Sequence, residues 1–133
     1  MEITDMNKIR IPAEQGDVTI IESMVDATIL QGAKKRKPKN GRSILALGEA
    51  TGHHHSLDSR VSTVYEVTPE LRAAFNAEMR FPHNANVLDS VLLVGEPDVV
   101  THQEHGPINI APGIYWVEIE QEYSPAAIHR VID

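Results

Sequence analysis

The sequence contains no cysteine and few aromatic residues, and both absences restrict what the protein can be. Without cysteine it forms no disulfide, and any zinc or iron site must use histidine and carboxylate ligands. Aromatic residues make up 5% of the chain, so Val, Ile, Leu and Ala must fill most of the core. A chain of 133 residues is expected to form one β-rich domain over residues 11–133, preceded by a flexible arm at residues 1–10.

Long apolar runs and a basic excess are also missing. No segment approaches the roughly 20 apolar residues that span a bilayer, and the first residues lack the basic start and apolar stretch of a secretory signal. We therefore expect a cytoplasmic protein without a membrane partner. The net charge of −7 argues against general nucleic-acid binding.

One segment has the opposite charge. Residues 34–39, from Lys34 to Lys39, hold five of the twelve basic residues. Pro38 indicates an irregular, solvated loop. The alternative is a contact for an anionic partner such as nucleic acid.

Runs of β-branched or apolar residues, and stretches in which apolar and polar residues alternate, predict about seven short strands, at 18–21, 42–47, 61–67, 91–94, 99–100, 108–110 and 115–120. Residues 28–30 are either a further strand or the end of the first hairpin. Thr68 and Pro69 predict a helix near 69–79, because Thr caps helices and Pro fits the first position. Ser124 and Pro125 predict a short C-terminal helix in the same way. The expected fold is mainly β, a small antiparallel barrel or sandwich, with a cupin-like or jelly-roll arrangement as one form of it.

Trp116 lies in the last predicted strand, on the face expected to carry three solvated glutamates: Glu118, Glu120 and Glu122. It either marks a subunit contact or covers an apolar patch of the same chain. Open sheet edges must be paired or covered. We therefore expect a homo-oligomer, most simply a dimer, in which a neighbour buries Trp116 or the N-terminal arm.

Histidine is concentrated in two clusters, 53–55 and 102–105, which hold five of the seven histidines. His53 and His55 would share one face of a strand, as would His102 and Glu104. Two such strands side by side would gather three or four nitrogen and oxygen ligands. The pattern predicts a site for zinc, iron, manganese or nickel with four ligands: His53, His55, His102 and His105.

An open coordination position would turn bound water into a nucleophile near neutral pH, with Glu49 and Glu104 as candidate general bases. Alternatively, the histidines lie on the surface beside turns and bond backbone carbonyls. In that case the protein is a non-catalytic structural or interaction module. Serine nucleophile and phosphate-loop motifs are absent from the sequence.

The histidine clusters and the residues around them resemble two known families. Residues 48–55, a glycine followed by His53-x-His55, partly resemble the first motif of the cupin family, which implies a double-sheet barrel. The glutamate that should follow is missing, since residues 57–61 offer only Asp58, and Pro112-Gly113 follows the second cluster rather than preceding it.

The closer resemblance covers most of the chain. Its ordered motifs are Gln-Gly-Asp-Val at 15–18, Gly-Glu-x-Thr-Gly-His-x-His at 48–55, His-x-Glu-His-x-Pro-Ile at 102–108, Pro-Gly-x-Tyr at 112–115 and Gln-Glu-Tyr-Ser-Pro at 121–125. Together they look like a family of short uncharacterised proteins from bacteria and phages. This resemblance implies a family and a phage or prophage origin, but no activity.

Overall fold

The protein folds mainly into β-structure, as predicted. The computed structural model describes residues 13–45, 54–79, 86–103 and 105–120. These residues form nine strands: β1 (Ala13–Gln15), β2 (Val18–Glu22), β3 (Arg42–Leu45), β4 (His55–Asp58), β5 (Ser62–Tyr65), β6 (Asn86–Val94), β7 (Asp98–Val100), β8 (Ile108–Ile110) and β9 (Gly113–Glu120). They also form a 3₁₀ helix (Ala27–Leu30) and the helix α1 (Pro69–Glu78). The predicted arm at 1–10 and the predicted C-terminal helix lie outside the described residues.

Five strands form one antiparallel sheet in the order β1-β2-β9-β6-β5. The long strand β9 lies at its centre and pairs along its whole length with β6. In the described chain β1 and β5 remain at opposite edges, so this sheet does not close into a barrel. Of the two predicted forms, the sandwich fits.

The second layer consists of two hairpins, β3-β4 and β7-β8. They are joined where Ser56 and Thr101 exchange two backbone hydrogen bonds, of 3.0 Å and 2.9 Å. Apolar side chains from both layers form the core between them: Val18, Ile20, Leu45, Leu57, Val64, Leu92, Val94, Val100, Ile110, Tyr115 and Val117. The bridge brings His55, the residue before Ser56, next to His102, the residue after Thr101.

The opposite face of the large sheet is covered by the two helical segments, which complete a second core: Ile21, Leu30, Tyr65, Leu71, Leu88, Val91, Ile114 and Trp116. Helix α1 begins as predicted, since the Thr68 hydroxyl accepts a hydrogen bond from the Leu71 N–H at 3.1 Å and Pro69 follows the cap. No helix within the described residues is long and apolar enough to cross a membrane.

Residues 28–30 form neither of the predicted β-structures. The Asp26 carboxylate accepts a hydrogen bond from the Thr28 N–H at 2.9 Å and caps a 3₁₀ turn. The β-branched residues Thr28 and Ile29 suggested a strand, but a local side-chain cap outweighs that propensity here.

The predicted solvated face of β9 is wrong at Glu118, whereas for Trp116 the second alternative fits, since it covers an apolar patch of its own chain. Trp116 is fully buried, packs edge-on against Phe75 of α1 with ring centroids 5.4 Å apart, and donates its indole N–H to Glu78. Glu118 is 1% exposed, whereas Glu120 is exposed. Glu122 lies outside the described residues. The prediction failed because β9 is central and both of its faces are covered, so alternation along it does not separate core from solvent.

The basic segment follows the edge of β5 instead of extending freely into solvent. Lys35 forms an antiparallel bridge to Tyr65. The Arg36 side chain is only 7% exposed and pairs with Glu66 at 2.8 Å and with Asp89 at 3.4 Å. The four lysines of the segment are exposed: Lys34, Lys35, Lys37 and Lys39. Covering a sheet edge with charged residues is a common protection against edge-to-edge association.

Candidate functional site

The first histidine cluster enters the core through β4. His55 is the first residue of this strand and Leu57 faces the same way, because side chains alternate along a strand. Leu57 belongs to the core between the two layers, and His55 is 1% exposed. A polar ring is therefore buried at the end of the sandwich.

The second cluster is brought to the first by the bridge between β4 and the end of β7. Since Ser56 pairs with Thr101, the preceding His55 and the following His102 become neighbours. Their ring centroids are 4.2 Å apart, the rings of His102 and His105 are 4.7 Å apart, and those of His55 and His105 are 6.2 Å apart. The structure thus brings together three of the four predicted ligands. His53, Glu49 and Glu104 lie outside the described residues.

Gln15, the last residue of β1, holds His55 in place. It is 2% exposed, and its side-chain oxygen lies 2.9 Å from Nδ1 of His55. Its side-chain nitrogen donates to the carbonyl oxygens of Val100, at 3.1 Å, and Gly106, at 2.7 Å. One carboxamide therefore connects the first strand, the buried histidine and both sides of the second cluster.

The ring of His105 lies over the β1–β2 turn. Gly16, in this turn, has a φ of 58°, which side-chain-bearing residues rarely adopt. A Cβ placed on Gly16 would lie 2.6 Å from Nε2 of His105 and 2.9 Å from its Cδ2. The glycine thus provides both the turn conformation and the space in which the ring sits.

His55 stays uncharged near neutral pH. Burial, and then the charges of His102, His105 and His54, lower its pKa from 6.5 to about 4. Neutral imidazole is the form that binds metals and accepts hydrogen bonds. The site therefore contains at least one ring ready to act as a ligand without losing a proton.

His54 has a separate environment. Its backbone N–H donates to the side-chain oxygen of Gln103 at 3.0 Å, which links the two clusters a second time. Its Nδ1 atom is buried without a hydrogen-bond partner among the described residues.

The orientation of the three rings determines whether the cluster can hold a metal ion in this conformation. The planes of His55 and His105 differ by 7°, and His102 is tilted by 35° and 41° to them. An imidazole lone pair lies in the plane of its ring, so nearly parallel rings do not aim their lone pairs at one point. Accordingly, within residues 13–45, 54–79, 86–103 and 105–120, no three histidine or carboxylate side chains are arranged to hold a metal ion.

Sequence reasoning missed Gln15 and Gly16. In the sequence, Gln15 and Gly16 stand out only as part of the Gln-Gly-Asp-Val motif, whereas in the structure they form one wall of the histidine site. The available signal was its place as the first of the ordered family motifs. Periodicity could not supply it, because β1 is only three residues long.

A comparison with protein-family models matches residues 14–120 to a domain of unknown function, DUF8820. Searches of curated proteins and of solved structures find no match. The matched region begins one residue before Gln15, ends with β9, and includes both histidine clusters. By this match the chain belongs to the DUF8820 family.

Proposed function

We propose that the protein binds a divalent transition metal through the cluster of His55, His102 and His105. The observation that carries this proposal is the meeting of three imidazoles at the end of the sandwich, with ring centroids 4.2 to 6.2 Å apart. Imidazole is the commonest metal ligand in proteins, and three imidazoles in one place supply the nitrogen donors that a divalent transition metal accepts.

Metal binding requires a change in the orientation of the histidine rings but not in the fold. His55 is buried and fixed, whereas His102 is half-buried and His105 is exposed. Rotation of these two side chains would aim their lone pairs at the ion that His55 holds. His53 and Glu104, neighbours of the cluster in sequence, are proposed for the remaining positions. Zinc, iron, manganese and nickel all accept this nitrogen and oxygen set.

Catalysis is not needed for this proposal. The roles of Glu49 and Glu104 as general bases stay predictions, because both residues lie outside the described part of the chain. If the bound ion keeps an open position, these are the carboxylates to substitute first.

Metal analysis tests the proposal directly. The chain is purified without a histidine tag or a nickel column, and its metal content is measured by mass spectrometry. Metal is then removed with a chelator, the protein is titrated with Zn²⁺, Mn²⁺, Fe²⁺ and Ni²⁺, and its thermal unfolding is measured at each concentration. A ligand present at 100 times its Kd stabilises the folded state by about 2.7 kcal/mol.

Two variants define the site. His55→Asn is expected to abolish the stabilisation by metal. His54→Asn, which changes the adjacent histidine outside the three-ring contacts of the described residues, is expected to keep it. A native protein that contains no stoichiometric metal and gains no stability from any of the four ions would contradict the proposal and favour the structural or interaction module.

A further inference from the structure

The hydrogen bonds of Gln15 determine which way its carboxamide faces. Its nitrogen lies 2.7 Å from the carbonyl oxygen of Gly106 and 3.1 Å from that of Val100. Carbonyl oxygens only accept hydrogen bonds, so the atom facing both must be the NH₂ group. Exchanging the two ends of the amide would set an oxygen against two oxygens and lose both bonds.

This orientation leaves the oxygen of Gln15 facing His55. The oxygen accepts hydrogen bonds and lies 2.9 Å from Nδ1 of His55, so Nδ1 must carry the proton that is donated. A neutral imidazole has a single N–H. With that proton on Nδ1, the lone pair is on Nε2.

We infer that Gln15 is a positioning residue, which holds His55 as its Nδ1–H tautomer and thereby makes Nε2 the metal-binding nitrogen. Only the second half of this inference, the assignment of Nε2 as the metal-binding nitrogen, rests on the proposed function. Metal-binding histidines almost always donate their other ring N–H to a fixed oxygen, which sets the tautomer and the orientation of the ring. Gln15 is suited to this role because it is buried and held by two backbone carbonyls, so its oxygen has little freedom to move away.

The first experiment needs no metal. Long-range ¹H–¹⁵N NMR spectra of the chelated protein at pH 7 distinguish protonated from unprotonated ring nitrogens for each histidine. The native protein is expected to show His55 with a protonated Nδ1. Gln15→Met keeps the length of the side chain but removes the strong acceptor and is expected to release the ring into a mixture of tautomers.

Gln103→Met is the matched control, because Gln103 bonds the backbone N–H of His54 rather than a ring nitrogen. It is expected to leave the tautomer of His55 unchanged. Since Gln15 also ties strands together, circular dichroism checks each variant for folding. If Gln15→Met does not fold, the spectrum of the native protein decides. A His55 protonated at Nε2 in the native protein overturns the inference, as does an unchanged tautomer in folded Gln15→Met.

The second experiment measures Zn²⁺ affinity by calorimetry. Loss of such an outer hydrogen bond typically weakens metal binding by about 10- to 100-fold, and this loss is expected for Gln15→Met but not for Gln103→Met. If the native protein and Gln15→Met bind Zn²⁺ with equal affinity, Gln15 does not position His55 for metal binding, and this part of the inference is overturned. A native protein with the Nδ1–H tautomer that binds no metal would contradict the proposed function alone, and the action of Gln15 on the ring would stand.

Discussion

Because of His55, the free energy of unfolding is expected to depend on pH. Its pKa is lowered from 6.5 to about 4, by burial first and then by the neighbouring histidines. In the unfolded chain the ring binds a proton as the pH falls through 6.5, but the folded protein resists until about 4. The free energy of unfolding should therefore decrease between pH 6.5 and pH 4, by up to about 3 kcal/mol from this group, and lose nothing further from it below pH 4.

Urea unfolding at half-unit intervals from pH 7.5 to pH 4 measures this loss. His55→Asn is the control, because the Asn amide does not titrate and still offers an N–H to Gln15. The difference in stability between native protein and variant should shrink or change sign as the pH falls. A difference that stays constant over this range would show that His55 does not resist protonation.

Gly16 and Gly41 form a matched pair for testing the wall of the site. Both have positive φ, 58° and 76°, so alanine at either position costs about 1–2 kcal/mol in the backbone. Only at Gly16 would the new Cβ meet the ring of His105, since a Cβ at Gly41 meets no described atom within 4 Å. Gly16→Ala is expected to shift the NMR signals of the His105 ring and weaken Zn²⁺ binding. Gly41→Ala should lose similar stability with neither effect, and identical behaviour of the two variants would contradict the placement of His105.

Among the elements, the basic segment beside the edge strand β5 is anchored by Arg36, which pairs with Glu66 and Asp89. Arg36 is nearly buried, and its pairing with Glu66 lowers the pKa of that carboxylate. Arg36→Met leaves Asp89 and Glu66 without this cation, and we expect a loss of about 2–3 kcal/mol, less than for a fully buried pair because Glu66 is 40% exposed. Lys37→Met, in the same segment but exposed, should stay within about 0.5 kcal/mol of the native protein. Equal losses in denaturant unfolding would show that Arg36 does not anchor the segment.

Helix α1 packs on the sheet through apolar side chains that include the buried Leu71, and Trp116 adds an aromatic contact with Phe75 and a hydrogen bond to Glu78. Trp116→Phe removes the indole N–H that bonds Glu78 and leaves a partly buried carboxylate with one bond fewer, so we expect a loss of about 1–3 kcal/mol. Phe75→Leu removes only the edge-to-face contact and should lose about 0.5–1.5 kcal/mol. Thermal unfolding compares the two. A Trp116→Phe variant as stable as the native protein would exclude a stabilising role for the hydrogen bond.

The elements that sequence predicted best were those whose signal is local. The start of α1 follows from Thr68 and Pro69, and the strand at 18–21 from its β-branched residues. The burial of Glu118 could not be predicted in this way, because it depends on which elements cover the far face of β9. The same distinction holds at the site. The clusters indicated His55, His102 and His105, whereas Gln15 acts through bonds to residues 85 and 91 positions away, which no local pattern encodes.

For the molecule as a whole, the burial of Trp116 changes where a subunit interface is to be sought. The predicted homo-oligomer stays a prediction, but Trp116 is covered by α1 of its own chain. Sedimentation velocity of native protein and Trp116→Phe at equal concentration should therefore give the same association state, even though the variant is less stable. Dissociation of an oligomer by this substitution, with the fold intact by circular dichroism, would contradict the intrachain role.

The three bonds of Gln15 also bear on how the chain reaches its folded state. They connect residues 40, 85 and 91 positions apart, so the histidine site exists only once the first strand has joined the rest of the molecule. Contacts of such high sequence separation form late and slow the folding of β proteins into the millisecond-to-second range. β1 joins the sheet through β2, and β2 pairs with β9 where Ile21 lies opposite Trp116. Binding of Zn²⁺ during refolding should therefore not precede the change in Trp116 fluorescence, which reports the second core.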